Sequence, residues 1–157
     1  MAYHLLGTGC LLDIARLNQG PAHRWYLSRA AQQGLFPDDI VISAFSVAQI
    51  EAHFRANPPE TPAESQLEEN VSRLIKQFAL DDAIVGASPS VIEYWSRHLN
   101  FAIPYPTQKF PDDMLGFEEK LVLATAKKGN EGRGYILVDY KRDIHDQLQL
   151  LVHDPYQ

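Results

Sequence analysis

Four places in this chain carry polar or acidic side chains next to a strand-like run, or on a helix able to line a strand's end. The first is Gly7-Thr8-Gly9. The second is the segment opened by Ser46, which carries Gln49. The third is Glu118-Glu119. The fourth is Asp139, directly after the apolar run Tyr135-Ile136-Leu137-Val138, with Asp143 four residues on. Acids brought together from separate elements are the oxygen donors that a hard divalent cation needs. Other chemistries find less support. The six histidines (His4, His23, His53, His98, His145, His153) include no pair with the helical spacing of four that favours zinc. Gly7-Thr8-Gly9 lacks the lysine and third glycine of a phosphate-cradling loop. Cys10 sits in an apolar run and reads as a small core residue.

Each acid also has an ordinary structural reading. Glu118 and Glu119 lie about 100° apart on a helix, so at most one of them faces a shared cleft. A solvated face suits Glu118. Asp139 can begin a turn after its strand, and Asp143 can cap the segment from Ile144 to Gln147. Glu51 points roughly 200° away from Gln49 and does not replace it. Asp38-Asp39 and Asp81-Asp82 precede strands and read as turns. Asp13 reads as an outward or structural residue.

The elements that must position these groups follow from periodicity. His4 to Leu6 is a short apolar strand, and Leu11 to Leu17 a helix ended by Gly20-Pro21. Ala22 to Gln33 continues as helix, with Gly34 as its C-terminal cap. Asp39 to Ser43 is rich in β-branched residues and predicts a strand. Ser46 is expected to cap a helix over Val47 to Arg55, with Gln49 completing a capping box. Three prolines between Asn57 and Pro62 mark a loop. Leu67, Val71, Leu74 and Phe78 share one helical face, and Ala83 to Val85 forms a further short strand. Ser88-Pro89 opens a helix bearing Ile92, Trp95 and Leu99 on one side.

Phe101 to Phe110 is a loop of prolines and aromatics, placed to cover the core or the cleft. Asp112 and Asp113 are expected at the N-terminus of a helix from about Met114 to Lys128. Leu148 to Val152 reads as an edge strand. Strands separated by helices predict a parallel sheet covered on both faces, with function gathered at the carboxyl ends of its strands.

At 157 residues the chain reads as one domain, 1–157, long enough to bury a full core. Its apolar content of 45% and charged content of 22% are ordinary for a globular protein. A net charge of −6 argues against a general polyanion binder. The charge is uneven: eleven acids and four bases lie between Ala56 and Glu119, giving −7. Between Ala126 and His145, five bases and three acids give +2, so any nucleic-acid contact is expected there. One cysteine forms no intrachain disulfide, and a reducing cytoplasm is the expected compartment. No apolar run reaches the roughly 18 residues that span a membrane.

Order and spacing of several pieces resemble the PIN-domain family, and within it the VapC-type toxin branch. They are Leu5-Leu6-x-Thr8-x-x-Leu11-Leu12-Asp13, Ile42-Ser43-x-x-Ser46-x-Ala48, Leu123-Ala124-Thr125-Ala126, Leu137-Val138 and the closing His153-Asp154-Pro155-Tyr156. The resemblance spans nearly the whole chain. It implies an α/β fold: a three-layer α/β/α sandwich around a mostly parallel sheet of about four to five strands. Typical members hold Mg²⁺ or Mn²⁺ with acids from four points of the chain and cut RNA. There the ions activate water and neutralise phosphate charge.

Matched position by position, this chain departs from that pattern. The strand-end aspartate of the family falls on Gly7, and the glutamate of the second helix on Gln49. The small polar or amide residue after the threonine falls on Gly9. Glu119 keeps the third acid. Asp139 or Asp143 serves as the fourth, because the local spacing is off by one residue. The resemblance therefore implies a degenerate PIN-like domain with lost or strongly weakened ribonuclease activity. It would act by binding protein (an antitoxin-like partner or a second copy, as a homodimer) or RNA. No resident cofactor is expected; Mg²⁺ or Mn²⁺ would sit at Glu119 and Asp139 if that residual site is filled. The alternative is an active Mg/Mn-dependent endoribonuclease toxin of a toxin–antitoxin pair, using a rearranged site of Glu119, Asp139 and Asp143. Ile14, Leu17, Trp25 and Tyr26 are the candidate interface residues.

Overall fold

The computed structural model describes residues 3–33 and 39–157. In order, the elements are β1 (His4–Leu6), α1 (Thr8–Ala15), α2 (Pro21–Gln33), β2 (Ile40–Ser43), α3 (Ala44–Ala56) and α4 (Pro62–Leu80). There follow β3 (Ile84–Val85), α5 (Pro89–His98), α6 (Phe117–Lys128), β4 (Ile136–Val138), α7 (Asp143–Gln147) and β5 (Val152–His153). The sheet runs β3-β2-β1-β4-β5 with every pairing parallel, so the expected mostly parallel sheet is wholly parallel here. Leu148 to Val152 contributes only its last residue to the edge strand β5.

The sheet's side chains alternate between two apolar layers, as the period of two along a strand demands. Leu5, Val41 and Leu137 pack with Val91, Tyr94, Leu99, Val122 and Leu123 around α5 and α6. Leu6, Ile42 and Val138 pack on the other face with residues of α1, α2, α3 and α4. A buried parallel sheet between two helical layers is the three-layer sandwich that the alternation of elements implies.

Register places the site. Leu6 lies opposite Ile42 on one side and Val138 on the other. The next residues, Gly7, Ser43 and Asp139, therefore emerge side by side from the carboxyl ends of the central strands. The Gly7 N–H, donating to the Val138 carbonyl at 2.9 Å, ties two of those ends together.

Several local expectations are corrected. The α3 helix starts directly at the strand end, capped by Ser43, whose Oγ accepts the Phe45 N–H at 3.1 Å. Ser46 is therefore no cap but a buried residue of the first turn, and the Ser46–Gln49 capping box does not form. The later helix starts at Phe117, capped by Gly116, because residues 113–115 are held extended against 103–105. Tyr105 N–H donates to Asp113 O at 2.8 Å and Leu115 N–H to Ile103 O at 2.9 Å. The first-turn acids are thus Glu118 and Glu119 rather than Asp112 and Asp113.

Ser88 and Pro89 open α5 as expected, yet Ile92 is 43% exposed while Val91 and Tyr94 are buried. Leu99 lies past the helix end as its C-cap, so its burial does not share the helix period. Arg142, not Asp143, is the N-cap of α7. Asp39 is no solvated turn: it is 2% exposed and paired with both Arg29 and His4. Gly34 and Asp38 lie outside the described residues.

Candidate functional site

At the carboxyl ends of β1 and β4 lies a pocket of about 130 Å³, lined by Gly7, Thr8, Gly9, Tyr105, Glu119, Asp139 and Arg142 over an apolar floor. The ends of β1 and β4, the first turns of α1 and α6, the cap of α7 and the loop carrying Tyr105 meet there. Gly7 closes β1 and caps α1 with extended backbone, so its Cα faces the pocket directly. A Cβ at that position would lie 2.6 Å from Asp139 Oδ2 and 2.7 Å from its Cγ. The Asp139 carboxyl thus occupies the space that a side chain at position 7 would fill. Its other oxygen accepts the Tyr140 N–H at 2.8 Å, which holds this rotamer.

Beside this pair runs a chain of hydrogen bonds. Thr8 Oγ1 lies 2.9 Å from Ser46 Oγ and 3.0 Å from Gln49 Oε1. A hydroxyl has one proton and an amide oxygen only accepts, so Thr8 donates to Gln49 and accepts from Ser46. The Gln49 amide then donates through Nε2 to Glu119 Oε1 at 3.3 Å. Gln49 therefore sits where a second carboxylate would face Glu119, and its N–H converts a repulsive contact into a bonding one.

Both acids are raised above the ordinary carboxyl range. Burial pushes the Asp139 carboxyl up to about 6; the Tyr140 N–H and Arg142 oppose this, while Glu119 adds to it. Burial also raises Glu119, against the pull of the Gln49 hydrogen bond and Arg142, with Asp113 and Glu118 contributing further repulsion. The Arg142 guanidinium is stacked 3.9 Å from the centroid of the Tyr105 ring and 5.9 Å from that of Tyr140. Its main-chain N–H donates to Nδ1 of the fully buried His145 at 3.1 Å.

The structure thus brings Gly7, Glu119 and Asp139 into one pocket, with Gln49 hydrogen-bonded to Thr8 and Glu119 at its margin. Asp143 is exposed on the first turn of α7 and lines a neighbouring open groove with Lys109, Tyr140 and Lys141 instead. Glu118 does not line the pocket. Asp13 accepts a short hydrogen bond from Tyr156, whose hydroxyl in turn accepts from Cys10 at 3.6 Å. That is a structural tie to the closing segment. Arg142 and Tyr105 are the residues that sequence reasoning missed. Arg142 counted only as one base of a mildly positive stretch, and no local pattern links position 105 to position 142. The one usable signal was the aromatic content of the loop around Tyr105.

A divalent ion does not fit this arrangement well. Among the described residues, no three His, Cys, Asp or Glu side chains converge on a common point. Mg²⁺ asks for near-octahedral oxygen donors. Here two acids are accompanied by a neutral amide and a guanidinium.

The parallel five-stranded sheet and its helical layers match a PIN-like fold. No protein-family model and no curated protein matches the sequence. Two solved structures do share the fold, and both are PIN-domain proteins. One is that of FitAB bound to an IR36 DNA fragment, with TM-score 0.65 and 15% identity over 98% of this chain and 96% of that one. The other is that of FitAcB from Neisseria gonorrhoeae, with TM-score 0.64 and 16% identity over 98% of both chains. At such identities the likeness carries the fold alone.

Proposed function

We propose that this chain is a PIN-like pseudo-nuclease that works by binding a macromolecular partner rather than by cutting RNA. The observation that carries the reading is the Asp139 carboxyl lodged over Gly7. The acid that follows β4 has folded into the volume of the missing one, so two anionic positions have collapsed into one. Gln49 neutralises a further position, and its bond to Glu119 is one that a glutamate there could not donate. Loss of outer partners alone typically reduces metal affinity or activity about 10–100-fold. Losing two anions from the innermost set is expected to do more.

The neighbours belong to the FitAB toxin–antitoxin pair. That supports a partner of antitoxin type, with RNA held but not cleaved as the second candidate. A homodimer is the expected assembly. Its best surface is the apolar pocket of about 270 Å³ between α1, α2 and α4, where Leu17 is 57% exposed beside Tyr26 and Leu74. Of the other candidates, Ile14 is buried, and Trp25 and Tyr26 are half-buried. Among the described residues, no helix is long and apolar enough to cross a membrane.

The test is RNA incubation with the purified protein in Mg²⁺ or Mn²⁺, beside a Glu119→Gln variant. Identical, background-level cleavage by both is the expected result. Cleavage by the native protein that Glu119→Gln abolishes would instead establish the rearranged nuclease built on Glu119 and Asp139.

A further inference from the structure

Two carboxylates that share a cramped, partly buried pocket need a compensating positive charge. We propose that the protein supplies it from its own chain: Arg142 is the resident counter-ion of Glu119 and Asp139, in the role a divalent cation plays for an acidic PIN centre. This rests on the preceding reading that the centre no longer depends on Mg²⁺ or Mn²⁺.

Position comes first. Arg142 lines the same pocket as Glu119, Asp139 and Gly7. Restraint comes second. The guanidinium is stacked on Tyr105 and flanked by Tyr140, while its main chain caps α7 and is held by His145. A long side chain fixed in this way has lost much of the freedom to swing into solvent. The third observation is an unmet donor. Arg142 Nη1 is buried and has no hydrogen-bond partner among the described residues. A small approach to either acid would satisfy it.

Neighbouring cations are otherwise engaged. Lys141 Nζ pairs with Asp146 at 3.2 Å, and Lys120 Nζ donates to the Phe101 carbonyl at 2.6 Å. Arg142 stands off from both acids, with no ion pair within 4.0 Å, so its attraction acts across the pocket. The apolar walls of Leu115, Val122 and Leu137 screen that attraction less than bulk water would. A guanidinium balances charge at every accessible pH, yet it cannot lower the pKa of a bound water as a metal does. The exchange of ion for arginine therefore keeps the cleft together and removes its nucleophile.

The experiment is a Mn²⁺ titration of the full chain, followed by the paramagnetic resonance of free Mn²⁺ and by the melting temperature. Native protein, Arg142→Gln and Arg142→Lys are compared, each verified as folded by circular dichroism. Native protein and Arg142→Lys should leave the free-ion signal undepleted, and their melting temperatures should ignore both Mn²⁺ and chelator. Arg142→Gln should gain saturable binding, about tenfold tighter or more, and a melting temperature that rises with Mn²⁺. Should Arg142→Gln not fold, Tyr105→Leu, which frees the guanidinium from its stack, should show the same gain in weaker form.

A folded Arg142→Gln as blind to Mn²⁺ as the native protein would overturn the counter-ion role, as would glutamine and lysine variants that behave alike. Neither result touches the pseudo-nuclease reading. Metal-dependent RNA cleavage by the native protein would overturn that reading, and this inference with it.

Discussion

Gly7 and Asp139 compete for one volume, and that competition can be measured. A methyl group at position 7 would lie 2.6 Å from Asp139 Oδ2, so the carboxyl must turn away and give up its bond to Tyr140 N–H. Gly7→Ala should lower stability by about 1–3 kcal/mol, the range for a tight insertion or a lost charged hydrogen bond. Denaturant unfolding checks this. In an Asp139→Gly background the same Gly7→Ala change should cost little, because the clashing atoms are then gone.

Asp139 also makes a pH prediction. Its carboxyl is raised to about 6 in the fold, against 3.8 for the free side chain. The folded state therefore holds this proton more tightly than the unfolded chain does. Stability tied to the proton is full below about pH 4 and is lost as pH rises through about 6. Asp139→Asn keeps the neutral form at every pH. The melting-temperature advantage of the asparagine variant should be small near pH 4, grow toward pH 6 and level off above 7. A gap that stays constant across that range would contradict the burial of this group.

Among the elements, the in-register ends of β1, β2 and β4 do most of the positioning. They set Gly7, Ser43 and Asp139 at one level, and α3 begins there without a connecting loop. Ser43 joins the strand to that helix. Ser43→Ala should cost about 1–2 kcal/mol, the usual loss for an N-cap, read by urea denaturation. The early start of α3 is also what turns Ser46 and Gln49 toward Thr8 and Glu119.

The sequence pattern placed this helix three residues late, because either Ser43 or Ser46 can cap it by chemistry alone. Only the strand's pairing with β1 shows where the strand ends. A similar limit applied to α6. Its start was misplaced by the acids at 112 and 113, and the bridge between residues 103–105 and 113–115 is a contact that no local rule reveals.

Taken as a whole molecule, the two apolar layers close around the sheet and leave an apolar patch outside. Leu17 and Leu27 are exposed beside the pocket formed by α1, α2 and α4. Leu17→Asp should convert a dimer to a monomer in analytical ultracentrifugation, with the helical signal unchanged. A native protein already monomeric at high concentration would remove that interface. The acidic cleft opens elsewhere, at the strand ends, so a Leu17 variant should leave Mn²⁺ behaviour as it was.

Composition, the order of strands and helices and the alternation within the strands were enough to specify a parallel α/β sandwich, since local periodicity encodes which faces are buried. The resemblance of its motifs to the PIN family, not periodicity, set Gly7 and Gln49 at positions where that family carries acids. Tertiary structure alone decided that Asp139 rather than Asp143 shares the cleft with Glu119, and that it fills the space over Gly7. It alone brought Arg142 beside them, held on a tyrosine from a distant loop. Electrostatics at a site depends on distances between residues far apart in the chain. Those distances exist only once the strands have paired.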